Sequence, residues 1–237
     1  MDFTTAVWIA LGCYLIGSIP FSTIVSRLMA PGQQVLKQEL DLVDTEEKYR
    51  VTTTGALTAS MSLGARGGCL IGFLDMAKAA VPVFAVRLAY PGELYLLVAA
   101  VACMAGHNWP IFNRFRGGRG ISTLYGGLLF VDTLGAFVVA SAGLLLGLFV
   151  VRDFLAVYIA GAVLLIPWMW LRTGSESYVL YAIEVNVVFL VGTIPDLRQW
   201  IRMRKQGQMG LKFTAELTPM GRGLLKMMRF FHVEPRG

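Results

Sequence analysis

Charge is what this sequence has least of: Lys, Arg, Asp and Glu make up 15% of 237 residues, against 56% hydrophobic, and the mean hydropathy is +0.62. So little polar surface excludes an ordinary soluble domain and places most of the chain in lipid. Histidine is scarcer still. His107 and His232 alone are too few for a histidine-rich metal site. Cys13, Cys69 and Cys103 fall in apolar stretches with neither paired loop spacing nor a metal-ligand pattern, so they read as small apolar thiols and no metal is expected. The first apolar stretch, Ala6 to Ala30, lacks a basic leader and contains Pro20, which points to a retained helix and away from a cleaved signal peptide. Internal repeats and low-complexity tracts are missing too.

What is present is a series of apolar stretches. Crossing ~30 Å of hydrocarbon takes roughly 20 residues of helix. Seven stretches qualify, near 6–26, 67–89, 93–112, 119–131, 133–151, 154–171 and 177–194. The fourth is short and follows a glycine-rich loop, so it is expected to enter the membrane part-way or to sit inside the bundle. The sequence therefore predicts an all-α integral membrane protein of about seven transmembrane helices. Lysine and arginine set its orientation. With the N-terminus outside and the C-terminus cytoplasmic, the inner segments hold eighteen basic residues, while the outer ones hold only Arg87 and Arg172. The formal net charge of +6 is thus a topology signal and gives no ground for nucleic-acid binding.

Two segments lie outside this pattern. Residues 31–66 pass from a mixed-charge stretch into Val51-Thr-Thr-Thr-Gly-Ala-Leu-Thr-Ala-Ser-Met-Ser-Leu-Gly64, small and hydroxyl-rich, which reads as a re-entrant or interfacial segment or as a surface helix with a linker. The tail after Pro195 is basic, and charges recur every three residues in Gly223-Leu-Leu-Lys-Met-Met-Arg-Phe-Phe-His-Val233. That spacing suits an amphipathic helix on anionic lipid, or one that binds a partner. The division that follows is a transmembrane domain over 1–195 and a basic tail over 196–237.

Chemistry concentrates in Gly106-His-Asn-Trp-Pro-Ile-Phe-Asn-Arg-Phe-Arg-Gly-Gly-Arg-Gly-Ile-Ser-Thr123. Closely spaced glycines let backbone N–H groups converge, the next helix offers its positive dipole end, and arginine forks match phosphate oxygens. Arg116, Gly117, Gly118, Arg119, Gly120, Ser122 and Thr123 are the candidate phosphate-binding residues. The plain alternative is a loop whose arginines only enforce topology. His107, at a helix end, is either a general base or a structural terminator. Asp75 and Lys78, three apart in the second stretch, form a structural ion pair or touch substrate. The same choice stands open for Glu184 and Asn186 in the last stretch.

The string from Gly106 to Thr123 resembles the signature of the acyl-phosphate-dependent glycerol-3-phosphate acyltransferases, the PlsY family, which reads Gly-His-x-x-Pro-x-Phe-x-x-Phe-x-Gly-Gly-Lys-Gly-x-x-Thr. Gly17-Ser-Ile-Pro-Phe21 and Asp75-Met-Ala-Lys-Ala-Ala-Val-Pro-Val83 resemble two further family motifs in the same order, so the likeness covers roughly residues 10–195. It departs in two places. Where the family's first loop has serine, asparagine, a second asparagine and arginine, this chain has Val51, Thr53, Thr58 and Met61. Where the last span has a histidine and an asparagine, it has Thr193 and Asp196. Arg119 stands in for the family lysine.

The resemblance implies a cell-membrane enzyme of phospholipid synthesis, its site on the cytoplasmic side, that moves a fatty acyl group from acyl phosphate to glycerol 3-phosphate without cofactor or metal. Acid–base candidates are then His107, Thr53 and Asp196, with Asp75 and Lys78 in support. The replaced positions keep two other readings open: a non-catalytic relative that binds phospholipid or acyl-phosphate groups, and an acyltransferase with a different acceptor.

Overall fold

The computed structural model of the protein describes residues 2–32, 39–41, 48–50, 55–151, 154–205 and 219–231. Each of the seven apolar stretches is helical. The first is broken where the sequence reading had one continuous span: α1 (Phe3–Gly17) ends at Ser18 and α2 (Phe21–Met29) begins after Pro20. Proline has no N–H to continue the ladder and its ring excludes the preceding turn. A short ladder, β1 (Glu39–Asp41) antiparallel to β2 (Lys48–Arg50) with Leu40 opposite Tyr49, interrupts the expected all-helical pattern. Strands of three residues are too short to leave a readable alternation.

The re-entrant expectation meets α3 (Ala56–Ala89), whose helix is kinked at Gly64, with φ 69° and ψ −173°. That left-handed φ is one that glycine adopts without strain. Residues 56–63 fold back along the membrane-spanning part. A Cβ on Gly68 would strike Ser60 Cβ at 2.5 Å and the Ala56 carbonyl at 3.0 Å. Ala59, Ile71 of α3 and Val25 of α2 bury a small core between these segments.

The remaining helices are α4 (Glu93–Asn108), α5 (Ile121–Val131), α6 (Thr133–Leu145) with a π-helical turn (Leu146–Val151), α7 (Phe154–Thr173), α8 (Glu176–Lys205) and α9 (Pro219–Phe230). Six segments among the described residues are long and apolar enough to cross a membrane, and α5 is the shorter seventh. α4 is central: 56% of its apolar window is buried, against 28–39% for the others. Lipid-side residues such as Phe73, Val81, Phe137 and Leu171 are exposed and apolar, as a bilayer solvent requires.

Helices approach closely where glycine faces a carbonyl. A Cβ on Gly17 would meet the Cys103 carbonyl, one on Gly106 the Tyr14 carbonyl, and one on Gly126 the Met76 carbonyl. Small residues of this kind let membrane helices gain van der Waals contact where the hydrophobic effect offers little. They also fix the depth of the loop before α5. The Arg87 guanidinium at the end of α3 donates to the Phe130 carbonyl at the end of α5, at 2.8 Å. An eleven-residue helix is about 16 Å long, so the first turn of α5 lies roughly half a bilayer away from that end. The glycine-arginine loop is therefore recessed.

Two outcomes test this architecture. Gly126→Ala should lower the detergent melting temperature by overpacking worth about 1–3 kcal/mol, while Gly12→Ala, with nothing within 4 Å of its Cβ, should not. A cysteine placed at exposed Arg116 in a cysteine-free background should resist an impermeant thiol reagent in intact cells and react after permeabilisation. Labelling from outside would reverse the assigned orientation.

Candidate functional site

The end of α4 builds the site. Its last turn carries His107 and Asn108, both buried. The His107 carbonyl accepts from the Gly118 N–H at 3.2 Å, drawing the loop back onto the helix that precedes it. Gly117 lies so close to the His107 and Asn108 carbonyls that a side chain there would collide. Asn108 spans outward: Nδ2 donates to the Val188 carbonyl of α8 at 2.9 Å, while Oδ1 lies 2.6 Å from where a Cβ on Gly120 would sit. Between these anchors, Arg114 and Phe115 both take positive φ, 52° and 58°. Non-glycine residues in that region hold about 1–3 kcal/mol of strain each, which only a loop over-determined by its surroundings sustains.

Gly120, at φ 82°, is the N-cap of α5 and contributes no side-chain cap. The first turn of α5, with Ile121 and Ser122, therefore borders the adjoining space without an N-cap side chain on its N–H groups. That space is a cavity of about 520 Å³. Gly118, Arg119, Gly120, Ile121 and Ser122 form one wall. The folded-back segment supplies Ala56, Leu57, Thr58 and Ser60, α3 supplies Gly68, Cys69, Gly72 and Asp75, and His107 and Tyr158 complete the lining. Arg119 is half-buried and within electrostatic range of the Tyr158 phenol. The cavity thus joins a cationic, N–H-rich wall to an apolar one, which suits an amphiphile with an anionic head.

Asp75 and Lys78 are both buried, and Lys78 Nζ lies 2.9 Å from Asp75 Oδ1. The same oxygen faces His107 Nδ1 at 3.5 Å. The lysine turns away from the large cavity: Nζ donates to the Ile19 carbonyl at 2.9 Å and lies 5.9 Å from the centre of the Phe21 ring. It lines a narrow crevice with Asp75, His107 and Gly118. This trio therefore links the break between α1 and α2, α3, α4 and the loop.

The sequence candidates separate as follows. Gly118, Arg119, Gly120, Ser122, His107 and Asp75 converge on the cavity. Gly117 lines the crevice behind it, Arg116 is exposed, and Thr123 is wholly buried with Oγ1 unpartnered in the structure. The Gly118 N–H is already committed to His107, so the donors facing the cavity come chiefly from the start of α5. Val51, Thr53 and the side chain of Asp196 lie outside the described residues. The Thr193 hydroxyl is spent on the Phe189 carbonyl of its own helix, at 2.7 Å. Asn186 is structural, its amide bonded to the Ala162 and Ala182 carbonyls, and Glu184 is exposed and apart from the cavity. Sequence reasoning missed Tyr158, Ser60 and Cys69. Only the fold-back at Gly64 and the position of α7 bring them in.

Fold and site together define a multi-pass helical membrane protein with a cavity between the glycine-arginine loop and the folded-back segment of α3. Residues 7–204 match the family model for glycerol-3-phosphate acyltransferase, and the chain belongs to that family. A glycerol-3-phosphate acyltransferase of Desulforamulus reducens is 30% identical over 188 residues, 78% of this chain and 86% of the relative. One from Thermus thermophilus is 32% identical over 141 residues, 60% of this chain and 64% of the relative. The fold is that of PlsY, an integral membrane glycerol 3-phosphate acyltransferase. Its glycerol 3-phosphate form superposes with TM-score 0.68 at 22% identity, covering 86% of this chain and 94% of that one. Its lysophosphatidic acid form gives 0.66, with coverage of 86% and 93%.

The ion pair makes a testable claim. Removing one partner of a buried pair costs about 3–5 kcal/mol, because the other charge is left uncompensated. Lys78→Met and Asp75→Asn should each lower the detergent melting temperature markedly. The double variant should lose less than the sum, and strict additivity in the thermodynamic cycle would show that the two are not coupled.

Proposed function

We propose that the protein transfers a fatty acyl group from acyl phosphate to the 1-hydroxyl of glycerol 3-phosphate, yielding lysophosphatidate and inorganic phosphate. The observation that carries this reading is the cavity itself. Arg119 and the uncapped start of α5 share one partly open cavity with the apolar residues Ala56, Leu57 and Ile121. Acyl phosphate is already activated, so the residues must bind two phosphate groups, align the hydroxyl with the carbonyl carbon and stabilise the oxyanion of the tetrahedral intermediate. The C–O bond to glycerol forms as the O–H bond of its 1-hydroxyl breaks, the bond from carbonyl carbon to phosphate oxygen breaks, and phosphate leaves with the electron pair and takes up the hydroxyl proton.

Arg119 holds phosphate through its guanidinium, Ser122 adds a hydroxyl donor, and the α5 dipole favours negative charge. His107 is assigned mainly to holding the loop, since its carbonyl fixes Gly118 and its ring is packed against Asp75. The active region lies in the body over 1–195, on the cytoplasmic side of the cell membrane. The 196–237 tail stands outside it, although α8 runs through the boundary to Lys205.

One observation favours a second reading. Thr193, at the position of the family histidine, has its hydroxyl bound within its own helix, which leaves a protein that binds phosphorylated lipid without turning it over. Purified protein with radiolabelled glycerol 3-phosphate and palmitoyl phosphate separates the two. Product formation supports the enzyme, and binding without turnover supports the second reading.

Arg119→Gln should weaken binding of glycerol 3-phosphate and of an acyl phosphate analogue about 10-fold to 100-fold by isothermal titration, the loss of one charge-assisted contact. Arg119→Lys should retain most of the affinity. Where acyl transfer is measurable, His107→Ala should reduce it by less than Arg119→Ala. Unchanged binding in Arg119→Gln, together with misinsertion, would assign the arginine to topology alone.

A further inference from the structure

The family match ends at residue 204, so α9 lies beyond it. An amphipathic helix free in solution or on a bilayer would leave its apolar face to water or lipid. Here that face is occupied by the protein. Leu225 and Met228 are buried, and Met228 packs with Leu148 and Val157 beside Leu57 and Tyr158, two residues of the cavity wall. The ring of Phe231 meets Phe149 edge-on at 5.5 Å. What α9 turns outward is charge. Arg222, Lys226 and Arg229 are exposed, and the helix contains no acidic residue. At 3.6 residues per turn these three fall within roughly 60° of arc, forming one cationic ridge.

The docking partners set the depth of the ridge. Leu148 belongs to the π-helical turn that ends one membrane span, and Val157 to the first turns of the next. A chain reverses between two spans at a bilayer surface, so α9 lies at that surface with its ridge at headgroup level. Phe230, 77% exposed at the end of the helix, adds an apolar group suited to the boundary below the headgroups.

We propose that the outer face of α9 is a binding surface for the anionic headgroups of the surrounding phospholipid. Its apolar face clamps it to the bundle and its Arg222, Lys226 and Arg229 ridge takes the lipid. The ligand chemistry is a phosphate diester with a net negative charge, held at the membrane surface. A basic residue there contributes about fivefold to association with anionic lipid, so three contribute roughly a hundredfold.

The test uses the full chain in lipid nanodiscs. Gly223 is exposed at the edge of the ridge with open space around it, so Gly223→Cys in a Cys69→Ala background accepts an environment-sensitive fluorophore. Emission is compared in discs of phosphatidylcholine alone and of equal parts phosphatidylcholine and phosphatidylglycerol. The expected result is a blue shift confined to the anionic discs. It should vanish at high salt and in Arg222→Gln/Lys226→Gln/Arg229→Gln, and persist in Arg222→Lys/Arg229→Lys. Inorganic phosphate added to phosphatidylcholine discs should not reproduce it. The same emission in both kinds of disc would overturn the proposal and leave the ridge to water or a protein partner. A shift that survives salt on the unsubstituted ridge would overturn it as well, without relying on the folding of the triple variant.

Discussion

The last turn of α4 is the constraint on which the site depends. One carbonyl, that of His107, receives the Gly118 N–H, and one amide, that of Asn108, reaches Val188 while filling the space beside Gly120 and Gly192. These contacts tie the loop, α8 and the start of α5 to a single buried helix end. They also explain why glycine recurs at 117 and 120. A side chain at either position would displace the loop from the turn that holds it. The positive φ values at Arg114 and Phe115 follow from the same closure, because the chain must reverse within a few residues to bring Gly118 back to His107. Loop strain and helix-end packing are two sides of one arrangement.

Membrane burial makes the charged trio beneath this turn consequential. A carboxylate and an ammonium taken out of water recover their solvation only if their remaining donors and acceptors are used. Lys78 meets that demand with Asp75, the Ile19 carbonyl and the ring face of Phe21. Ile19 belongs to the break between α1 and α2, where Pro20 has no N–H to donate. The interrupted first helix is thus matched to a buried cation: the break frees a carbonyl, and the lysine needs one. On the other side, Asp75 faces His107, so the ion pair reaches the loop-holding turn through a short chain of contacts.

Much of this was legible in the sequence because its signals are local. Apolar runs of span length gave the helices, and the short stretch 119–131 after the glycine-rich loop gave a short α5. Spacing of three placed Asp75 and Lys78 on one face, and the glycine-arginine string marked the loop. What escaped depends on tertiary geometry. Nothing local to Tyr158 distinguishes it from other tyrosines in apolar runs, and it joins the cavity only because α7 passes there. Pro20 was visible, but not that the Ile19 carbonyl at its break would be taken by the Lys78 side chain, fifty-nine residues from Ile19. The Gly118 N–H looked available for an anion in sequence, yet a distant carbonyl takes it. The apolar face of α9, which suited lipid in isolation, is satisfied by Leu148 and Val157.

The replaced positions do not fall at random with respect to this framework. Gly106, Gly117 and Gly120, whose role is to let backbone approach backbone or side chain, stand where the family pattern has them, as does Gly118. Asp75 and Lys78 stand there too, so the buried ion pair is kept, and Arg119 keeps the charge of the family lysine on the cavity wall. The substitutions fall on side chains that would reach in from the first loop and from the end of α8, including Thr58, now buried on the folded-back segment, and Thr193, bound to its own helix. In the proposed reaction phosphate recognition would rest on backbone and Arg119, both on the cavity wall. Proton transfer would rest on side chains of the first loop and of the end of α8, and these are the ones that differ. Under the proposed function the sequence changes therefore fall on acid–base positions and spare the glycines and the charge of the loop. The chain's rate, more than its affinity, is where it should part from its relatives.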